Sequence, residues 1–211
     1  MQILVVAATG IEIAPFMADN PAVDLLITGV GAPATLYHLQ KRLQHVDYDM
    51  VIQAGIAGCF NVQLPSASCV IVRRDVFADL GIEENSAYFT LGEKGLIDTN
   101  AFPYEDGWLI NSNLLLEQID LPKVNAITIN KISDSIEQRQ QYVKKFVPDI
   151  ESMEGAALHY LCLQEQVPFL QLRSISNEVG ERNKTKWNIN PAIENLNNNL
   201  ESIIQFLKQN Y

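Results

Sequence analysis

Residues 150–157 read Ile150-Glu151-Ser152-Met153-Glu154-Gly155-Ala156-Ala157, and residues 167–177 read Val167-Pro168-Phe169-Leu170-Gln171-Leu172-Arg173-Ser174-Ile175-Ser176-Asn177. The first stretch predicts the start of a buried helix. Met153, Ala156, Ala157, Tyr160 and Leu161 recur at the spacing of one apolar helical face. Glu154 falls at the edge of that stripe, where a carboxylate costs free energy unless something pairs with it. The second stretch is apolar, β-tending and ends in Ser176-Asn177, and strand ends are where ligands dock in α/β sheets. A helix with a half-buried acid, then a strand delivering a hydroxyl and an amide, is the outline of a site.

Working outward, Gln2 to Ala8 form a continuous apolar run, as expected of a strand buried on both faces. Thr9-Gly10 end it, and Glu12 follows in a loop or first helical turn, where the helix dipole alone would favour an exposed acid. Asp24 to Gly29 predict a second strand and Ala34 to Gln44 a helix with Leu36, Leu39 and Leu43 inward. The intervening Gly29-Val30-Gly31 is a weak dinucleotide signal, because the third glycine is missing and Pro33 interrupts. Met50 to Ala54 predict a third strand ending in a turn, Gly55-Ile56-Ala57-Gly58. That turn either lets a ligand approach the backbone or simply reverses the chain.

Further strands are expected at Cys69–Val72 and Asn125–Asn130, with an irregular region over 81–107 between them. A helix is expected from Asp134 to Phe146, with Asp134 and Glu137 at capping-box spacing. The last helix is expected to open at Asn190-Pro191, with Asn195 to Asn199 on its solvent face. Strands this apolar, alternating with helices, imply a mostly parallel or mixed sheet covered by helices in one domain over 1–211.

A net charge of −10 over 211 residues argues against a nucleic-acid surface. Cys59, Cys69 and Cys162 lie in apolar runs and fit reduced, buried thiols. The N-terminus has no basic n-region and no apolar run reaches membrane-spanning length, so a soluble, cytoplasmic chain without a membrane partner is expected.

The opening strand with Glu12, Gly55-Ile56-Ala57-Gly58, Ser152-Met153-Glu154-Gly155-Ala156-Ala157 and Arg173-Ser174-Ile175-Ser176-Asn177 together resemble the nucleoside phosphorylase/nucleosidase superfamily over nearly the whole chain. Phe77 to Gly81, Gly95 to Asp98 leading to Phe102-Pro103, Glu151 to Gly155, and Ser174 to Asn177 resemble its branch that cleaves a 6-oxopurine nucleoside carrying a benzoate tail. The resemblance implies a purine nucleoside phosphorylase-like α/β fold, with a mixed central β-sheet flanked by helices. It also implies N-ribosidic hydrolysis of a small-molecule nucleoside, with no cofactor and no metal. Relatives form homo-oligomers, dimers or larger, in which a neighbour closes the tail pocket; 77–107 is where that contact is expected.

The resemblance also assigns roles. Glu12 corresponds to the base that takes a proton from water, and Glu154 to the acid that accepts from both ribose hydroxyls. Asn177 stands where methylthioadenosine-type relatives carry an aspartic acid. An amide cannot be an acid, but it donates to N7 or O6, which suits an oxopurine. Ser176 either orients Asn177 or lies near the base, or it is a strand-end hydroxyl that caps the backbone. Met153 and Ile132 either touch ribose and base or belong to the core, and Ala57 and Gly58 line the ligand side of their turn. Lys131 has no account, and Arg74 and Arg182 are both candidates for the benzoate. Gly55 to Phe60 contains no arginine and none precedes Arg42, which favours water over phosphate as nucleophile. A 6-aminopurine nucleosidase, a non-catalytic nucleoside-binding protein and a dinucleotide-dependent dehydrogenase are the competing readings.

Overall fold

The computed structural model describes residues 1–19 and 22–211. Strand β1 (Ile3–Ala7) is followed by a short helix α1 (Ala14–Ala18), strand β2 (Asp24–Ile27) and helix α2 (Ala32–Leu43). Next come β3 (Met50–Cys59), β4 (Cys69–Asp75), a hairpin of β5 (Gly81–Glu84) and β6 (Ala87–Thr90), β7 (Leu109–Ile110) and β8 (Lys123–Thr128). The chain ends α3 (Ile136–Phe146), β9 (Ile150–Ser152), α4 (Gly155–Gln164), β10 (Phe169–Glu178) and α5 (Ile189–Asn210). The expected mixed α/β architecture with helices on the sheet is observed.

Strand β3 is the pivot of the sheet. Its first half pairs in parallel with β1, its last two residues pair antiparallel with β9, and β10 runs beside it along most of its length. Because β10 also pairs with β4, β4 with β8 and β8 with β9, five strands close on themselves while β1 and β2 extend the sheet outward. Ala57, Cys59, Val70, Val72, Val124, Ala126, Ile150 and Ile175 come from those five strands and fill the closed part.

The two faces of β1 show how the sequence period becomes packing. Ile3, Val5 and Ala7 join Leu196, Leu200, Ile203 and Leu207 of α5, while Leu4 and Val6 join Leu39 of α2 and Leu158 and Leu161 of α4. Alternation of period two sends successive side chains to opposite faces, and here both faces are covered.

Several local expectations are corrected. Ile150 to Ser152 are strand, and Glu154 is the N-cap of α4 rather than a residue within a helix. Ile150 is drawn into the sheet because it and Glu151 complete the edges of β3 and β8. Helix α4 buries all its sides rather than one stripe, which is why the predicted face was not informative. Gly55-Ile56-Ala57-Gly58 is not a turn: it continues β3, paired to β10. Pro33 does not interrupt α2 but lies in its first turn, where no N–H is needed. Ser135, not Asp134, caps α3, accepting from the N–H of Gln138 at 3.1 Å. Helix α5 has Asn188 at its N-cap position, ahead of Asn190-Pro191, without a side-chain cap bond. Within the 81–107 region the β5–β6 hairpin emerges, paired from Gly81↔Thr90 to Glu84↔Ala87. The three cysteines are free and buried. Among the described residues no helix is long and apolar enough to cross a membrane.

Candidate active site

Strand β10 carries a bulge between Ile175 and Asn177, so that Asn177 rather than Ser176 sits opposite Gly58. Without it, Ser176 and Asn177 would point to opposite faces; a bulge turns neighbouring side chains toward one side. Both line a cavity of about 380 Å³ at the end of the sheet. Glu12, Ala57, Gly58, Ile132, Met153, Glu154, Ser176 and Asn177 all face this cavity, together with Glu151, Ser152, Ile56 and Trp187.

Glu12 lies on the turn between β1 and α1. Its Oε2 accepts from the Thr9 N–H at 3.0 Å and the Thr9 hydroxyl at 2.9 Å, and its Oε1 from the Ile56 N–H at 3.2 Å. A carboxylate offers about four lone-pair sites, so Oε1 keeps one for another donor. The segment is pinned by Ile13, fully buried, and by Asn197 of α5. The Asn197 amide donates to the Glu12 carbonyl at 2.9 Å and accepts from the Phe16 N–H at 3.0 Å. Since α1 has no side-chain cap of its own, Asn197 supplies one from the far end of the chain. Asn197 is therefore buried, contrary to its expected place on a solvent face.

Glu154 is buried, with Oε1 accepting from the Gly31 N–H at 2.9 Å and Oε2 3.8 Å from Nη1 of Arg173. Burial raises its pKa; Arg173 and the Gly31 N–H oppose that rise, and the nearby Glu12 charge adds to it. Arg173 is 1% exposed and donates from Nη2 to Gln53 at 2.6 Å. Gly55 makes this arrangement possible. A Cβ there would lie 2.2 Å from Arg173 Nη1 and 3.0 Å from Glu12 Oε1.

Behind the cavity lies a second buried polar group. Asp75 is fully buried and its Oδ1 accepts from Thr128 at 3.0 Å and from the Val76 N–H at 2.8 Å. Its Oδ2 accepts from Gln171 at 3.2 Å. Gln171 Oε1 and His159 Nε2 have no partner, while His159 Nδ1 donates to the Leu109 carbonyl at 2.9 Å. Burial pushes Asp75 up to about 6 and His159 down to about 4. The Asp75 carboxyl thus holds its proton longer in the folded than in the unfolded chain. Stability falls as pH rises from 3.8, the unfolded value, to about 6. The loss amounts to about 3 kcal/mol from this group. Asp75→Asn removes that titration while keeping the two Oδ1 acceptances. The Gln171 amide can then turn over, accept from the new amide and donate to His159. Urea midpoints of the variant should exceed those of the wild type above pH 6 and converge with them in acid; parallel curves would rule the assignment out.

Sequence reasoning missed Glu151, Arg173, Asn197 and the Asp75 group as parts or supports of the site. A signal was present in Gln53 and Gln171, polar residues inside otherwise apolar strands that turn out to be register partners. Of the benzoate candidates, Arg74 is not brought to the cavity: it bonds Asn125 at 2.9 Å and stacks over Trp108 at 4.2 Å. Arg182 lies 5.7 Å over Trp187, which does face the cavity. Lys131 is exposed beside Ile132.

The profile of the Phosphorylase superfamily matches residues 8–209, and the chain belongs to that family. It is similar to the futalosine hydrolase of Thermus thermophilus, with 27% identity over 92% of this chain and 91% of that protein. Among solved structures, the native futalosine hydrolase of Helicobacter pylori superposes with a TM-score of 0.79 at 16% identity, covering 97% of this chain and 98% of that one. The 5'-methylthioadenosine/S-adenosylhomocysteine nucleosidase of Helicobacter pylori, bound to butyl-thio-DADMe-Immucillin-A, gives 0.79 at 17% identity with 97% and 98% coverage. At such identity the superpositions establish the fold.

Proposed function

We propose that the chain is an N-glycosyl hydrolase that cleaves the N-ribosidic bond of futalosine, releasing hypoxanthine and dehypoxanthine futalosine, as a step of menaquinone formation. The observation that carries this reading is the convergence of Glu12, Glu154 and Asn177, from three separate segments, on one cavity. The similarity to the Thermus thermophilus futalosine hydrolase over most of both chains supports futalosine as the substrate.

The cleavage passes through an oxocarbenium-like ribose, by analogy with O-glycoside hydrolysis. Glu154 accepts from the two adjacent ribose hydroxyls, and its charge favours the developing cation. Glu12 Oε1, with its spare lone pair, takes the proton of the attacking water as the water oxygen bonds to C1′. The electron pair of the C1′–N9 bond leaves with the base. Asn177 stabilises that base: its Oδ1 accepts from Ser176 at 2.8 Å and its Nδ2 donates to the Glu178 carbonyl at 2.8 Å, leaving one N–H for N7 or O6. The departed base is reprotonated by solvent. Met153 and Ile132 supply apolar contact, and no cofactor or metal enters the scheme.

Ile11 and Val30, 72% and 57% exposed, form an apolar rim on the cavity. They support closure of the tail pocket by a second copy in a homo-oligomer.

An end-point chromatographic assay tests the reading with futalosine, 6-amino-6-deoxyfutalosine and methylthioadenosine, each with and without phosphate. Hypoxanthine release from futalosine, indifferent to phosphate, is expected. Faster adenine release would assign the chain to 6-aminopurine substrates, and phosphate-dependent release would make it a phosphorylase.

A further inference from the structure

Glu151, Gly58 and Asn177 form one row across three adjacent strands. Gly58 of β3 is the register partner of Glu151 of β9 on one side and of Asn177 of β10 on the other. All three face the cavity. Strands lie about 4.8 Å apart, so two spacings separate the flanking residues, and the glycine between them has no side chain. Glu151 Cγ already lies 3.2 Å from where a Cβ on Gly58 would stand. The row is a flat floor with an amide at one edge and a carboxyl group at the other.

A purine held by Asn177 at N7 or O6 presents N1 on the adjoining edge, on the far side of C6 from N7. That edge distinguishes the two purine classes: a 6-oxopurine carries a hydrogen on N1, whereas N1 of a 6-aminopurine is an acceptor. Resting on the proposed nucleosidase activity, we propose that Glu151 is the specificity-determining residue, accepting the N1–H of a 6-oxopurine base across Gly58 from Asn177. The carboxylate is free for this role: burial and two arginines are the influences on it, with no hydrogen-bond donor from the described residues among them. A 6-aminopurine would set its N1 lone pair against the carboxylate.

The state of the carboxyl group makes the selection depend on pH. Burial pushes Glu151 up to about 7, against the opposing charges of Arg139 and Arg182. Tyr142 of α3 also feels Glu151, and burial raises its own pKa. Tyr142 stays neutral across this range. Glu12 and Glu154 share the cavity, but they act on both substrates alike and cancel in a ratio of rates. Ionised Glu151 accepts from a 6-oxopurine; protonated Glu151 donates to N1 of a 6-aminopurine.

The test is the ratio of kcat/KM for futalosine to that for 6-amino-6-deoxyfutalosine. In the unmodified enzyme the ratio should rise as pH increases from 6 to 8.5. In Glu151→Gln, whose amide can donate or accept, it should fall about 10–100-fold at pH 8.5, the discrimination carried by one hydrogen bond to a charged group, and become flat with pH. A ratio that is flat in the wild type and unmoved by the substitution overturns the inference even where the enzyme hydrolyses futalosine well. Absence of hydrolysis in the wild type would instead overturn the proposed activity. Because the wild-type pH profile needs no variant, poor folding of Glu151→Gln leaves the test intact.

Discussion

Glu12→Gln is expected to lower kcat on futalosine about a thousandfold, within the 10²–10⁴ contributed by a general base, while KM changes little. The amide is nearly the same shape, and its oxygen can keep both Thr9 donations. What it cannot do is take a proton from water. Its nitrogen would meet the Ile56 N–H now donating to Oε1 at 3.2 Å, so one hydrogen bond is also lost. That loss is worth about 1 kcal/mol, far too small to mimic a thousandfold effect through unfolding. Single-turnover rates with saturating substrate, alongside calorimetric binding of futalosine, separate the two. Retained turnover with normal binding would remove Glu12 from the chemistry. Loss of binding as well as turnover would make Glu12 a substrate holder. Intact binding without turnover also disposes of a purely nucleoside-binding role for the protein.

Arg173→Ala is expected to have the largest effect on stability, a loss of about 3–5 kcal/mol, typical of breaking a buried ion pair from one side. The guanidinium faces Glu154 at 3.8 Å and Gln53 at 2.6 Å in a place with no access to water. Its removal leaves Glu154 with only the backbone N–H groups of Gly31 and Met153 to offset burial and the Glu12 charge. The penalty therefore has a pH signature. Glu154, its pKa already raised, would be raised further, so the variant's deficit should shrink in acid, where the carboxyl is neutral, and grow toward neutral pH. Glu154→Gln in the same chain should recover part of the loss. Chemical denaturation across pH checks both; a deficit below about 1 kcal/mol, or one independent of pH, would mean that Arg173 does not neutralise Glu154.

Much of the site was legible because its residues are chemically conspicuous in their runs. Glu12 follows a strand with no polar residue, Glu154 interrupts a helix-like apolar pattern, and Asn177 closes a strand. Their roles came from the resemblance. What was not legible depends on pairing. Nothing in Gly55-Ile56-Ala57-Gly58 announces that β10 will hold it extended, since two glycines are the usual marks of a turn. Nothing local distinguishes Glu151 as a strand residue from one in the first turn of a helix, because three residues are too few to show a period. Asn197 lies in a run of four polar side chains out of five, and only the docking angle of α5 selects it for burial. The single bulge in β10 is equally silent in sequence, yet it sends Asn177 and Ser176 to the same side.

The contact between Asn197 and the turn carrying Glu12 also sets an order of failure. Helix α5 holds the sheet through Leu196, Leu200, Ile203, Ile204 and Leu207, and the same helix supplies both bonds that fix the Glu12 carbonyl and the Phe16 N–H. Lifting the helix by even one turn at that point frees the turn before any strand parts from its neighbour. The C-terminal helix thus works as a fuse: on heating, turnover should vanish while the sheet is still whole, and the Phe16 amide should exchange its hydrogen in step with α5, across 181 residues of sequence, rather than with the helix it belongs to.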